Sequence, residues 1–180
     1  LQYISLGLPA IISNNQVIES DIASLKGFPF DKKIQKEIIL MNDIKCIAYG
    51  YNQIHHQNVC FLTFPKDSGP GCGMILDNQL IDGNNGVAGE IAYLPLFDFF
   101  KKREFDNSLE KIIQVVATTI VMYNPHLTGE NIKEDDLDAI QKGCLNYVPN
   151  HFMPSLKYQE NCEDYYFQGL EGQIIKRIQF

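Results

Sequence analysis

Short apolar runs that lead directly into segments of helical spacing are the feature that most limits the fold of this chain. Tyr3–Leu8 and Ile38–Met41 are such runs. Ile44–Gln53 follows the second run after only two residues and has helical spacing, as does Ser108–Tyr123 further on. Strands that feed amphipathic helices predict a mixed α/β fold.

The other segments are assigned by the same periodicities and by turn residues. Further strands are predicted at Gln16–Glu19, Asn58–Phe64, Met74–Leu76, Gln79–Ile81 and Pro154–Glu160, and further helices at Phe30–Lys36, Glu134–Tyr147 and Tyr166–Ile178. Asn14-Asn15 and Asp77-Asn78 predict turns between strands.

Charge and hydropathy limit the partners of the chain. Its formal net charge is −7 over 180 residues, which argues against direct contact with nucleic acid phosphates. No apolar run reaches the ~20 residues that a membrane-spanning helix needs. We therefore expect a cytoplasmic protein with no membrane partner.

The cysteines are odd in number, widely spaced and free of any Cys-x-x-Cys pair. They are Cys46, Cys60, Cys72, Cys144 and Cys162. This pattern predicts reduced, mostly buried thiols, and neither a disulfide framework nor a zinc site.

Asn42-Asp43, between a strand and a helix, is the first candidate for chemistry. A carboxylate placed there can accept a proton from a substrate hydroxyl and prepare that hydroxyl to attack a phosphate. Asp43 can equally be the N-cap of the following helix. The sequence leaves both roles open.

Two glycine-rich segments are the next candidates. Ser68–Gly73 has alternating glycines that allow a backbone to approach a phosphate, but it also fits a simple hairpin turn. Pro70 removes one N–H donor from it, and Asp67 adds an unfavourable negative charge. Asp82–Ile91 carries Glu90, which can accept hydrogen bonds from sugar hydroxyls or simply face solvent.

The order and spacing of these motifs resemble the ROK family of sugar kinases and sugar-responsive repressors. The most specific match is Asp82-Gly83-Asn84-Asn85-Gly86-Val87-Ala88-Gly89-Glu90-Ile91, which is similar to the signature stretch of that family. Ser5–Ala10 resembles its early Gly-x-Pro segment, and Tyr166–Gln173 resembles its final helix.

The resemblance implies an actin-like ATPase (ribonuclease H-like) fold. Residues 1–50 would be the remainder of an N-terminal lobe and 51–180 a larger C-terminal lobe, with an upstream part missing. In this family the residue matching Asp43 is the catalytic base of the kinases, and those matching Asn42 and Glu90 bind sugar hydroxyls. Ser68 and Gly69 match its phosphate-binding turn.

Departures from the family pattern are as informative as the matches. Tyr93 stands where the family has a His that binds sugar and zinc, and residues 94–107 contain no cysteine for its zinc stretch. Its Asp-x-Gly-Gly-Thr phosphate motif would lie before Leu1, and its adenosine-side glycines are reduced to Leu127-Thr128-Gly129.

These departures predict that the chain binds no zinc and handles ATP weakly. Sugar binding is expected to be partly preserved, through Asn42, Asp43, Glu90 and Tyr93.

Two ligand-binding functions follow as hypotheses, and a pseudo-enzyme scaffold with no ligand is a third. The preferred one is the sugar-binding effector domain of a ROK-type transcriptional regulator, with no cofactor and with DNA bound only through an upstream domain. The alternative is a sugar kinase that uses ATP and magnesium to phosphorylate a hexose hydroxyl. A homodimer is also predicted, because the resemblance implies association through the larger lobe and the apolar stretch Leu94–Phe100 would suit a partner surface. The same stretch can instead be buried in the core of the chain.

Overall fold

A computed structural model describes residues 2–30, 36–65, 69–97, 108–130, 132 and 134–179. The strands are β1 (Tyr3–Leu8), β2 (Ile11–Ser13), β3 (Gln16–Glu19), β4 (Glu37–Asn42), β5 (Val59–Thr63), β6 (Gly71–Leu76), β7 (Gln79–Leu80), β8 (His126–Glu130) and β9 (Leu156–Tyr158). The helices are α1 (Asp43–His55), α2 (Leu109–Tyr123), α3 (Leu137–Cys144) and α4 (Glu163–Gln179).

The largest sheet has the strand order β7-β6-β5-β8-β9. β5, β8 and β9 are parallel to one another, and β6 is antiparallel to both of its neighbours, β5 and β7. Every residue of β5 is buried. Its alternate side chains enter different cores, because successive side chains of a strand point to opposite faces. Cys60 and Leu62 join the core that contains α2 and α3, whereas Val59 and Phe61 join the core that contains α1.

Helix α2 confirms the helix predicted from periodicity. Its buried side chains recur three or four residues apart, the spacing of one helical face. They are Ile112, Val115, Val116, Ala117, Thr119 and Ile120.

The first strands form two small sheets beside the main one. β1 pairs with β4 in parallel, and β2 pairs with β3 across the predicted Asn14-Asn15 turn, where both residues have positive φ. The Asn15 side chain donates to the carbonyl of Ile38 and accepts from the N–H of Leu40, each at 2.7 Å. This amide therefore ties the hairpin to β4 as a neighbouring strand would.

Helix α4 closes the fold by packing on α1 with almost no side chain between the two backbones. A Cβ on Gly50 would overlap the carbonyl oxygen of Tyr165, and one on Gly169 would overlap that of Cys46. The Tyr166 hydroxyl also donates to the Gly7 carbonyl of β1 at 3.0 Å. The last helix thus holds both α1 and the first strand.

Two predicted elements end at residues other than those predicted, and a third is described only in part. Gly71 and Gly73 lie within β6, so the hairpin turn ends earlier than predicted. Helix α3 ends at Cys144 and not at Tyr147, after a 3-10 turn over Glu134–Asp136. Most of the helix predicted at Phe30–Lys36 lies outside the described residues. The division into lobes at residue 50 stays a prediction, and that position falls inside α1.

The cysteines are all buried free thiols, as the spacing predicted. Burial raises the pKa of Cys46 to about 12 and that of Cys144 to about 11, so both remain protonated and unreactive near neutral pH.

Across the parts of the chain that the structure describes, no helix is long and apolar enough to cross a membrane.

We expect Gly50→Ala to destabilise the protein by about 1–3 kcal/mol, because an added methyl must push α4 away from α1. Helix propensity alone would make the alanine variant more stable, so a lower free energy of unfolding would come from the packing of the added methyl. Gln168→Ala, at an exposed position of α4, should change the free energy of unfolding by less than about 0.5 kcal/mol. Urea unfolding of both variants measures the difference, and equal stability would contradict the close packing.

Candidate functional site

A cleft of about 320 Å³ opens where the small sheets meet the main sheet. Its lining comes from six short segments: 9–11, 19–21, 42–44, 63 with 65, 69–71 and 90 with 92–93. Most of these segments are strand ends or the residues just after them, where loops and helix starts expose polar groups.

The structure brings most of the predicted site residues to this one cleft. Asn42, Asp43, Gly69, Glu90 and Tyr93 all line it. Ser68 lies outside the described residues, so its predicted role in a phosphate turn stays a prediction.

Asn42, and not Asp43, caps helix α1. Its Oδ1 accepts a hydrogen bond from the N–H of Lys45 at 3.0 Å, and its Nδ2 donates to the carbonyl of Ala10 at 3.1 Å. The N-cap interpretation of Asp43 is therefore wrong by one position. Asn42 joins the helix start to the chain just after β1.

Asp43 is the first residue of α1 and is half-buried. Its Oδ1 accepts from the N–H of Ile44 at 2.8 Å. The N-terminus of a helix favours negative charge, so a carboxylate is stabilised there in its ionised form. An ionised Asp43 at the cleft can accept a proton or a hydrogen bond from a ligand hydroxyl.

Glu90 follows Gly89, whose φ of +92° is suited to glycine, and begins the 3-10 turn Ile91–Tyr93. Burial is the main cause that raises the pKa of its carboxyl, and the negative charges of Asp43, Asp21 and Asp82 raise it further. Lys45 opposes them and lowers it. Glu90 therefore holds a proton to a higher pH than a solvated glutamate does.

Lys45 is a residue that the sequence reasoning missed. It is only 2% exposed, and its Nζ donates to Asp82 Oδ1 at 2.5 Å and to the carbonyl of Gly86 at 2.6 Å. One signal was present, namely a lysine between two apolar residues, Ile44 and Cys46, at the start of an amphipathic helix.

One wall of the cleft was also missed. Glu19 ends β3, Ser20 and Asp21 follow it, and Thr63 ends β5. Glu19 pairs with Lys26 at 2.7 Å on the surface. These residues belong to no motif in the sequence, and only the folding of the β2–β3 hairpin brings them to the cleft.

The glycine-rich segment after β5 is explained in part by packing. Gly73 lies in β6, where a Cβ would come within 2.6 Å of the Ile44 carbonyl oxygen and 2.7 Å of the Ala48 side chain. Pro70 is fully buried beside the cleft and offers no N–H. Gly69 and Gly71 line the cleft.

Tyr93 lines the cleft and is half-buried. Burial raises the pKa of its hydroxyl, and so do the charges of Glu90, Glu19 and Asp21. The hydroxyl therefore stays protonated and can donate to a ligand oxygen.

The part of the predicted apolar surface that the structure describes, Leu94–Phe97, packs mostly towards the core. Phe97 is 2% exposed in the main core, and Leu94 and Leu96 pack against that core. Residues 98–100 of the stretch lie outside the described part.

Among the residues that the structure covers, no three His, Cys, Asp or Glu side chains form a metal-binding group. The absence of zinc stays a prediction.

Comparison with protein-family models matches residues 1–102 of the chain to the ROK family. An N-acetyl-D-glucosamine kinase of Pectobacterium carotovorum subsp. carotovorum (strain PC1) is 23% identical over 101 residues. That match covers 52% of this chain and spans only 33% of the relative.

Two solved structures are similar over nearly the whole chain. A ROK family protein from Streptococcus pneumoniae TIGR4, in complex with sucrose, has a TM-score of 0.71 at 14% identity, covering 99% of this chain and 82% of the other. A ROK family transcriptional regulator, a homolog of the E. coli MLC protein, has a TM-score of 0.64 at 13% identity, covering 97% and 65%. At these identities the likeness shows the fold.

We expect Asn42→Ala to lower the free energy of unfolding by about 1–2 kcal/mol, because α1 loses its cap and its tie to Ala10. Chemical denaturation measures the loss. Asn146→Ala, in the exposed turn after α3, is the control and should cost less than about 0.5 kcal/mol. If both variants are as stable as the wild type, the capping role is excluded.

Proposed function

This chain belongs to the ROK family, and on that premise we propose that its cleft binds a small sugar or sugar derivative through Asn42, Asp43, Glu90 and Tyr93. The structural likeness confirms the predicted α/β, actin-like ATPase fold. Because the matched segment is a third of the curated relative, the activity of the whole protein is itself part of the proposal.

The observation that carries the proposal is the meeting of two carboxylates from separate elements in one cleft. Asp43 starts α1, and Glu90 ends the loop after β7. Paired carboxylates accept hydrogen bonds from adjacent hydroxyls, and a cleft of about 320 Å³ suits a small ligand. Glu19 and Asp21 in the wall make an anionic ligand unfavourable.

We favour an effector domain of a transcriptional regulator over a kinase. A kinase needs backbone N–H groups and positive charge around the transferred phosphate. Here Pro70 supplies no N–H, and Gly73 is required for contact with α1. On this proposal the domain uses no cofactor, and DNA is bound through another part of the protein.

A sugar kinase is the second candidate, favoured by the position of Asp43. A carboxylate at a helix start, beside a cleft that suits a sugar, has the placement of a general base. ATP and magnesium would then be required, and phosphate would pass to a hexose hydroxyl.

The sugar affinity should fall as the pH is lowered, and the fall should begin above the range of an ordinary glutamate. Only ionised Glu90 accepts two hydroxyl bonds, and its raised pKa means that protonation starts at higher pH. Calorimetric titration of the intact protein with hexoses and N-acetylhexosamines measures this, and Glu90→Gln should remove the pH dependence. Glu160→Gln, an exposed control, should retain it.

Asp43→Ala should weaken sugar binding by about 1.5–3 kcal/mol, the range for a hydrogen bond to a charged group. Asp43→Asn separates the two candidate functions. An amide still accepts a hydrogen bond, so an effector domain should lose little affinity, whereas a kinase should lose turnover because an amide is no base. ATP turnover in the wild type that Asp43→Asn abolishes would reject the regulator. Wild-type binding without turnover would reject the kinase.

The predicted homodimer stays a proposal that rests on the family alone, because Phe97, Leu94 and Leu96 are used in the core. Light scattering of the intact protein tests it. A monomer at high concentration would rule it out.

A further inference from the structure

A nearly buried lysine lies directly beneath the loop that carries Glu90. Lys45 is 2% exposed, three residues after the Asn42 cap, and its Nζ contacts Asp82 and the carbonyl of Gly86. Burying an ammonium is unfavourable unless it is paired and hydrogen-bonded. Both partners belong to one segment, residues 82–90, about forty residues further along the chain.

The same segment is wedged between two strands. Gly86, with φ of +76°, lies so close to the Ile12 carbonyl of β2 that a Cβ would overlap it. Gly89 lies equally close to the Cys72 carbonyl of β6. Lys45 adds the attachment to α1, through a charge-assisted bond rather than through packing. The segment ends at Glu90.

The charges that act on the Glu90 carboxyl come from helix α1, from the residues after β3 and from the loop itself. Asp43 comes from α1, Asp21 from the residues after β3, and Asp82 from the loop itself, and all three disfavour ionisation of the Glu90 carboxyl. Tyr93, on the next turn, is a neutral donor. Among the described residues that act on this carboxyl, Lys45 is the one positive charge.

We propose that Lys45 is a positioning residue of the sugar site: its ammonium fastens residues 82–90 to the first turn of helix α1, which Asp43 begins, and so fixes where Glu90 stands relative to Asp43. The inference rests on the proposed sugar binding. Lys45 is covered by the loop and acts on the ligand only through Glu90.

The test compares Lys45→Met with Asp82→Asn in the intact protein. Methionine has a similar length and fills the buried space without a charge. Lys45→Met removes both bonds of the ammonium, so it should increase hydrogen exchange in residues 82–90 by about tenfold or more without ligand, the scale of one lost charge-assisted hydrogen bond. Asp82→Asn removes the ion pair but keeps an amide oxygen that accepts from the ammonium, so it should increase exchange in the same residues by less. Lys142→Met, an exposed lysine of α3, is the control and should leave exchange unchanged.

The two variants should shift the pKa of the Glu90 carboxyl in opposite directions. Lys45→Met removes the cation that favours the carboxylate, so the Glu90 pKa should rise. Asp82→Asn removes a like charge, so the Glu90 pKa should fall. Carbon NMR of the Glu90 carboxyl against pH measures both shifts. Simple loosening of the loop would instead move both variants the same way, since exposure to water lowers the pKa of a buried carboxyl.

Sugar affinity completes the test. Lys45→Met should bind the sugar about tenfold more weakly near neutral pH, with its loss of affinity beginning at higher pH than in the wild type.

If the wild type binds a sugar and Lys45→Met binds it equally, or if hydrogen exchange in residues 82–90 does not change, the positioning role is wrong and sugar binding stands. If the wild type binds no sugar in the panel, the proposed function fails, whatever the loop exchange shows. Should Lys45→Met fail to fold, the exchange and the downward shift in Asp82→Asn decide, and the absence of either overturns the inference.

Discussion

The backbone of helix α1 packs directly against neighbouring backbone on two sides, and the rest of the structure depends on that constraint. Gly73 of β6 lets the first turns of the helix approach the main sheet, and Gly50 with Gly169 lets α4 close on the opposite side. A side chain at any of these points would displace the helix, because the neighbouring atoms are mostly backbone and cannot move aside. Since α1 begins at the cleft, these distant glycines fix the position of Asp43.

The cleft is assembled from parts that are each stabilised elsewhere. The β2–β3 hairpin belongs to one small core with β4, and the strand ends on the other side belong to the cores of the main sheet. Hydrogen bonds of Asn15 to β4 and of Asn42 to Ala10 hold the first part together, and Lys45 bonds α1 to residues 82–90. The concentration of negative charge in the cleft can persist because packing beyond the cleft supplies the stability.

Much of the fold could be predicted from the sequence, because apolar periodicity records which face of an element is buried. The site could be predicted only where a motif was continuous, as in the segment that ends at Glu90. Lys45 was missed because its partners are remote in sequence, and Glu19 and Asp21 were missed because only the hairpin geometry brings them to the cleft. Gly73 shows that glycine spacing alone is ambiguous, since this glycine of the predicted phosphate-binding segment is needed for close packing of a helix. Asn42 and Asp43 are both favoured cap residues, so the sequence could not choose between them.

The bond from Tyr166 to Gly7 joins residues 159 positions apart. A ribosome adds about 5–20 residues each second, so the first strand waits roughly 8–32 s before the helix that secures it has been made. During that interval β1 and β4 are a parallel pair with unfilled edges, the kind of surface on which a nascent chain can mispair. The β1–β4 pair therefore stays without its contact to α4 until that helix has been made, and a chaperone that shields apolar strands would act on the pair in that interval.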